Sequence, residues 1–422
     1  MGNFGTMGVD WEERINFDRM RKERLAKAKK ALDESGLAAL FVLRTEDARY
    51  LTGFRHHLGP AFIVGNVTTV LPRGGDPVVF THDLDRSHTM PWMRPDQFRP
   101  RANFRERAGI IDFCTRVKEL MGDLNGETVG IDIYTPLIAQ ILKEQFPKTE
   151  FVDGYEVLLK AKMVKTEDEI ECMRIATAIT EAGMDAALRI LKPGVRECEV
   201  LAEAWRTMTA LGSEWTQCAN IVASGPYTYP YRRYTSDRII RKGDLVIIDI
   251  GGCFNGYWGD FTRTWICGDV LPTKEQIELH QDVYWHLFEA CSQAKPGNTN
   301  ADVVAAAEPY VRDSLGHSSG VNPWEPPFFS RVSHRSPVTL QKNMVINTEP
   351  YGGKEGVGGF RLEQNTIVGD PPEIITTYPF EGRLVKEPHP LDKTTGRTSQ
   401  FYQKFMNEFF KKYNIDREKM GI

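Results

Sequence analysis

Five residues set among apolar runs constrain this chain most. Asp249 interrupts the β-branched stretch LVIIDIGG (245–252), and Asp260 lies in YWGDFTRTWI (257–266). Glu349 and Glu363 lie within MVINTEPY (344–351) and GFRLEQNTIV (359–368), with His317 between the two acidic pairs. An ionised carboxylate in an apolar strand is costly unless it is paired or coordinated, so four of them call for cations. Carboxylate oxygens with one imidazole suit two divalent ions, with Mn, Fe, Co and Zn all compatible.

The local patterns place these residues on strands. Asn255-Gly256 separates the first two runs and reads as a hairpin turn, which sets Asp249 and Asp260 on neighbouring strands. MVINTEPY and GFRLEQNTIV form a second pair across GGKEGVGG, each with its glutamate near the middle of the strand. His317 follows a helical stretch and a Leu-Gly turn. The segments LKPGVRECEVLAEA (191–204) and AKPGNTNADVVAAA (294–307) echo one another and point to two related halves facing each other across the ions.

The 422 residues exceed one ordinary core and divide into two or at most three domains. We read residues 1–18 as a flexible N-terminus, 19–160 as an α/β domain, 161–385 as the catalytic domain and 386–422 as a helical tail. The first domain holds a helix over 17–35 stopped by Gly36, strands at 38–43, 61–66, 68–72 and 77–82, and helices at 108–121 and 135–145. Thr166 and Glu169 form a capping box for the long helix that opens the second. In the tail, TSQFYQKFMNEFFKKYNI (398–415) is amphipathic and reads as a packing or homodimer element.

A net charge of −4 argues against nucleic acid as the main partner. No 18-residue apolar stretch exists to span a membrane, and the start has no apolar signal core, although MGNFGT fits the loose myristoylation pattern. Seven cysteines without a CxxC pair read as reduced, mostly buried thiols of a cytoplasmic protein.

The motifs DIGG…GYWGDFTRTW, LGH, NTEPY and FRLEQ resemble those of the pita-bread metallopeptidase superfamily, which includes aminopeptidase P, prolidase and creatinase, over roughly residues 15–385. The resemblance implies an α/β chain, with an α+β pita-bread catalytic lobe behind a creatinase/prolidase-like N-terminal domain. It implies that Asp249 binds one ion, that Asp260 and Glu363 bridge both, and that His317 and Glu349 complete the second. Water or hydroxide between the ions is then the nucleophile, and Glu349 the catalytic proton shuttle. It also makes DARYLTGF (47–54) a substrate-facing loop and lets His56 and His57 border a partner's pocket.

Departures from that pattern bear on the substrate. Where proline peptidases carry accessory histidines, this chain reads Arg232-Arg233-Tyr234, Asp313 and Trp324-Glu325. That favours hydrolysis of a C–N or amide bond in a small molecule over proline-directed cleavage. GSEWTQCANIVASGPYTYP (212–230) and ITTYPFEGRLV (375–385) resemble the dimethylsulfoniopropionate lyase branch, but Gly251 stands where that lyase has a further metal-binding Asp, and Asn322-Pro323 where it has its base. An Xaa-Pro peptidase, a lyase using Glu325, Asp313 or a tyrosine as base, and a non-catalytic binding protein remain alternatives.

For substrate contacts, Tyr227, Tyr229 and Tyr231 alternate as if on one face of a strand, beside Arg232 and Arg233. Arg361 can fix a carboxylate through paired hydrogen bonds. Trp215, Trp258, Trp324 and Phe328 can wall the pocket, and His334 can serve as a relocated histidine. Together these favour an anionic or aromatic substrate.

Overall fold

The computed structural model describes residues 15–55, 67–81, 90–215 and 219–394. Outside them lie the predicted strand 61–66, His56 and His57, Cys218, most of the predicted flexible start and the predicted tail helix 398–415. The contacts divide the chain at Glu171/Cys172 into two compact units, the first also taking Gly320–Asn322.

The N-terminal unit contains α1 (Phe17–Ser35), β1 (Ala39–Val42), α2 (Thr45–Thr52), β2 (Thr68–Pro72), β3 (Val78–Thr81), β4 (Phe98–Pro100), α3 (Arg107–Met121), β5 (Thr128–Ile131), α4 (Pro136–Gln145), β6 (Glu150–Asp153) and α5 (Tyr155–Met163). The strands form one mixed sheet in the order β4-β3-β2-β1-β5-β6. Fully buried strand residues such as Phe41, Val70 and Phe80 join Phe113, Val117 and Ile141 of the helices in one apolar core. Asn16 caps α1 by accepting from the Arg19 amide at 2.9 Å, and Gly36 ends it at φ +75°.

DARYLTGF differs from its expected form as a substrate-facing loop. Most of it is helix α2, ended by Gly53 at φ +72°. Asp47 is buried in an ion pair with Lys162, and the Tyr50 hydroxyl donates to the Ala161 carbonyl at 3.0 Å, so these side chains are committed to the interior of the unit.

The helix α6 (Glu167–Ile190) carries the chain from one unit into the other. Its start is held by the Thr166–Glu169 capping box, with bonds of 2.8 and 3.4 Å. The C-terminal unit continues with α7 (Glu197–Ala210), β7 (Ile221–Ser224), β8 (Leu245–Ile250), β9 (Cys253–Phe254), β10 (Tyr257–Trp258), β11 (Phe261–Ile266), α8 (Lys274–Ser292) and α9 (Asn300–Ala307). Then come β12 (Gly316–Ser318), β13 (Glu325–Phe329), β14 (Val345–Thr348), β15 (Tyr351–Lys354), β16 (Gly358–Arg361), β17 (Gln364–Ile367) and β18 (Glu373–Ile374).

Among the described residues of this unit, the strands form antiparallel sheets β11-β8-β7 and β13-β12-β14-β17-β18, with the hairpins β9-β10 and β15-β16. The Lys-Pro-Gly echo has a structural counterpart. The Gly194 and Gly297 amides, at φ +98° and +94°, donate to the Ile240 and Leu340 carbonyls at 2.9 and 3.0 Å. Ile240 and Leu340 donate back to Val195 and Asn298 at 2.8 and 2.7 Å, so both halves begin from the same turn.

The six described cysteines are free thiols, five of them buried and Cys198 exposed. No described helix is long and apolar enough to cross a membrane.

Candidate metal centre

The acid-bearing runs are not continuous strands. Each breaks at or beside its acid, and Asp249 alone of the four stays in register, one residue before the end of β8. β8 pairs with β11 from Leu245·Ile266 to Ile250·Phe261, which puts Asp249 opposite Thr262 and leaves Asp260 just before β11. The turn between β9 and β10 is Asn255-Gly256, with φ of +50° and +85°. The second hairpin breaks likewise, with β14 pairing with β17 and, beyond the break, β15 with β16. Glu349 and Glu363 therefore sit at the break rather than in mid-strand as the sequence implied. His317 is central in β12, paired with Asn347 of β14.

These five side chains converge. Asp260, His317 and Glu363 each offer a ligand atom within 4.8 Å of the others, and so do Asp249, Glu349 and Glu363, so Glu363 is common to both groups. All five are buried. The Asp249 Oδ1 atom has no hydrogen-bond partner in the structure, a costly state for a buried carboxylate unless a cation lies against it. The donor set, oxygen-rich with a single imidazole, fits two divalent ions.

The electrostatics agree. Burial, followed by the nearby Asp249, pushes the Glu363 carboxyl up to about 7, and burial likewise raises Asp249. Burial lowers His317 to about 4, which keeps the imidazole neutral. Its Nδ1 lies 3.0 Å from the Ser318 carbonyl, so Nδ1 carries the proton and Nε2, 3.8 Å from Asp260 Oδ2, keeps its lone pair.

Several supporting residues escaped the sequence reading. Thr262 donates to Glu363 Oε2 at 2.9 Å and Asn347 to Oε1 at 3.0 Å, fixing both carboxylate oxygens. Ser319 in turn donates to Asn347 Oδ1 at 2.8 Å. Arg263, fully buried, donates to the Glu363, Thr262 and Tyr378 carbonyls at 2.6, 3.0 and 2.8 Å. Thr262 and Asn347 each stand two residues from an acid of the set, a period-2 signal that could have flagged them.

The predicted substrate contacts separate. Arg361 is buried; its guanidinium pairs with Glu349 and lies 3.5 Å from Asp249, so it faces the site's own acids. Tyr231 is buried beside it, with Arg361 5.4 Å and Arg233 5.7 Å from the ring centre. The three tyrosines do not share a strand face. Gly225–Thr228 is a 3-10 turn, and Tyr227 and Tyr229 are exposed while Tyr231 is not. Arg232 pairs with buried Glu197.

Trp324 is half exposed, edge-on to His317 with ring centres 6.4 Å apart. Trp258 is buried against Cys253, with the partly buried Trp215 packed on them. Phe328 is exposed on β13, where Glu325 is buried opposite Ser318. Asp313 is exposed. His334 is an exposed turn residue bonded to the Arg331 carbonyl at 2.8 Å.

The Metallopeptidase family M24 profile matches residues 171–370, and the Creatinase/Prolidase N-terminal domain profile matches residues 24–164. The chain belongs to the pita-bread M24 superfamily. An Xaa-Pro dipeptidase of Pyrococcus furiosus is 28% identical over 357 residues, covering 82% of this chain and 95% of that protein. Among solved structures, the Xaa-Pro dipeptidase from Bacillus anthracis matches with a TM-score of 0.72 at 24% identity, over 86% of this chain and 99% of that one. The prolidase from Pyrococcus furiosus matches with 0.67 at 25% identity, over 82% and 98%. Membership in M24 makes this pita-bread chain a metal-dependent hydrolase with two divalent metal ions as its cofactor.

Proposed function

We propose that the chain hydrolyses a C–N or amide bond in a small substrate carrying an anionic or aromatic group, with the ions held by Asp249, Asp260, His317, Glu349 and Glu363. The observation that carries this reading is the convergence of the five side chains into two ligand groups sharing Glu363. Bound there, two divalent ions make a nucleophile available at neutral pH and polarise a carbonyl oxygen.

The protein's own residues do the rest. Thr262 and Asn347 hold Glu363 by both oxygens, so the shared ligand is set before anything binds. Glu349, paired with the Arg361 guanidinium, is the proton shuttle. Trp324 stands edge-on to the His317 ring at that side of the site. Tyr231 and Arg233 border the acyl or amine half of the substrate.

A second reading, Xaa-Pro dipeptide cleavage, draws support from the relative so named. Against it, Arg233, Asp313 and Trp324 occupy the positions where proline peptidases carry histidines. The other described histidines are engaged elsewhere: His286 and His334 with backbone carbonyls, His389 with Glu289, and His280 buried in the core.

The test is elemental analysis followed by turnover of N-acyl amides and Xaa-Pro dipeptides after Mn²⁺, Co²⁺ or Zn²⁺ reconstitution. Two ions per chain and amide cleavage without proline preference support the reading. A strict proline requirement favours the second reading, and no metal uptake sinks both. Asp260→Ala should lose both ions and all turnover, and retained turnover would refute the dinuclear assignment.

A further inference from the structure

On β11 the Thr262 hydroxyl meets the Glu363 carboxylate, so strand alternation sends the next side chain, Arg263, to the opposite face of the sheet. There its guanidinium is completely buried, and its hydrogen bonds go to carbonyl and amide oxygens rather than to a carboxylate. Nη1 donates to the Thr262 and Glu363 carbonyls at 3.0 and 2.6 Å, and Nη2 to the Tyr378 carbonyl and Gln364 Oε1 at 2.8 and 3.0 Å. Nε lies 3.3 Å from both the Tyr378 and Pro379 carbonyls, so every donor of the fork is spent. The guanidinium carbon stands 4.0 Å from the centre of the Phe380 ring and 5.0 Å from that of Phe261.

A buried cation is costly unless its surroundings offset the lost hydration, and here main-chain dipoles do so. Burial lowers Arg263 to about 10, with Glu181 the largest opposing influence, so it keeps its charge at neutral pH. The acceptors come from three segments: β11, residues 363–364 and residues 378–379. The third is itself pinned by α6, where Glu181 accepts from the Thr377 and Tyr378 amides, the latter at 2.9 Å, and Asp185 from the Tyr378 hydroxyl at 3.2 Å.

The second segment contains the ligand common to both groups. β16 ends at Arg361 and β17 begins at Gln364, so Glu363 lies in the break between them. Its amide donates to the Thr262 carbonyl at 3.1 Å and its carbonyl accepts from Arg263, which fastens both main-chain groups of this ligand to consecutive residues of β11. Asp260 stands two residues before Thr262 on the same run of chain. The spacing between Asp260 and Glu363 therefore depends on that fastening.

We propose that Arg263 is a positioning residue for the dinuclear centre: from the far face of the sheet it clamps the break at Glu363 to β11 and so sets the spacing of Asp260 and Glu363. The idea rests on the ligand assignment given above. Lysine cannot replace the arginine, because three donors on one nitrogen do not reach acceptors spread around a planar fork.

The experiment uses the full chain, Arg263→Lys, and Ile240→Ala as a control that removes a fully buried side chain elsewhere in the same unit. Calorimetric titration of ion-free protein with Mn²⁺ gives the affinities, urea midpoints give the stability of each variant, and amide hydrogen exchange over residues 360–366 reads the clamp without metal. In Arg263→Lys both ions should bind at least about tenfold more weakly, because Glu363 belongs to both ligand groups. Exchange at the Glu363 amide should quicken by at least about tenfold. Ile240→Ala should lower the urea midpoint and leave both affinities and that exchange rate unchanged.

Parent-like Mn²⁺ affinity in Arg263→Lys overturns the proposal, and so does an equal loss of affinity in the control, which would make the arginine a core residue only. If Arg263→Lys does not fold, Gln364→Met, which removes one acceptor at similar size, is read in the same way, and parent-like affinity and exchange there also overturn it. A parent chain that takes up no Mn²⁺ sinks the ligand assignment and the positioning role together, whereas normal uptake by the parent and by Arg263→Lys sinks the positioning role alone.

Discussion

Glu363→Gln separates what the fold needs from this side chain and what the ions need. The carboxyl is completely buried, accepts from Thr262 and Asn347, and is pushed from 4.5 to about 7 by burial and then by Asp249. An acid whose folded value lies above its unfolded one makes the native state bind more protons between those pH values, so ion-free stability falls as pH rises through that window. At about 1.4 kcal/mol per unit, the rise costs the ion-free protein about 3 kcal/mol above pH 7. Glutamine keeps the shape and one acceptor without the charge. Ion-free Glu363→Gln should therefore be more stable than the parent chain at pH 8, by up to about 3 kcal/mol, and nearly equal to it at pH 4.

Metal inverts the order. At a free-ion concentration 100 times Kd, each site adds about 2.7 kcal/mol to the parent chain, whereas the variant lacks the shared negative ligand and should gain little. Urea midpoints at pH 4 and pH 8, with chelator and with Mn²⁺, read both effects. Equal ion-free stability at pH 8, or an equal gain from Mn²⁺, would refute the reasoning.

Three further outcomes follow from the same geometry. Asp47→Asn removes the carboxylate paired with the buried Lys162 ammonium and should cost about 3–5 kcal/mol, read as a lower denaturant midpoint of the N-terminal unit. Gly259→Ala places a Cβ 2.6 Å from the backbone of Ala176, so α6 or the β10–β11 connection must shift; metal content measured after purification should drop because Asp260 is the next residue. Burial holds His280 near 3 and His317 near 4, so the unfolded chain binds more protons below pH 6.5 and the histidines withdraw stability as pH falls through that range. His280→Leu should gain on the parent chain between pH 6 and pH 4 in urea titrations, and a constant difference would count against the assignment.

Sequence reading reached furthest where local chemistry decides the outcome. The span of α1 with Gly36 as its stop, the Thr166–Glu169 box and the Asn255-Gly256 turn each depend on a few neighbouring residues, and each appears in the structure. The ordered acids and His317 were legible because charge in an apolar run needs a reason. The breaks at Glu349 and Glu363 were not, since nothing nearby in the chain distinguishes a strand that continues from one that kinks to aim a carboxylate inward. Tyr227–Tyr231 alternates as a strand would, yet the chain there coils into a 3-10 turn fixed by the distant contacts Tyr351 Oη to the Thr228 carbonyl, 2.7 Å, and the Gly359 amide to Thr228 Oγ1, 3.1 Å.

The two interrupted hairpins differ in where their tips emerge. The tip at Asn255-Gly256 is enclosed, with Gly256 and Tyr257 buried, while Lys354, Glu355 and Gly356 are exposed. Foreign sequence should therefore be accepted at 355–356 and rejected at 255–256. Seven residues of strand separate Gly356 from Glu349, so a fluorophore grafted there would sit within about 25 Å of the ions. That distance suits energy transfer from a labelled substrate, giving a direct optical report of occupancy without altering a single ligand.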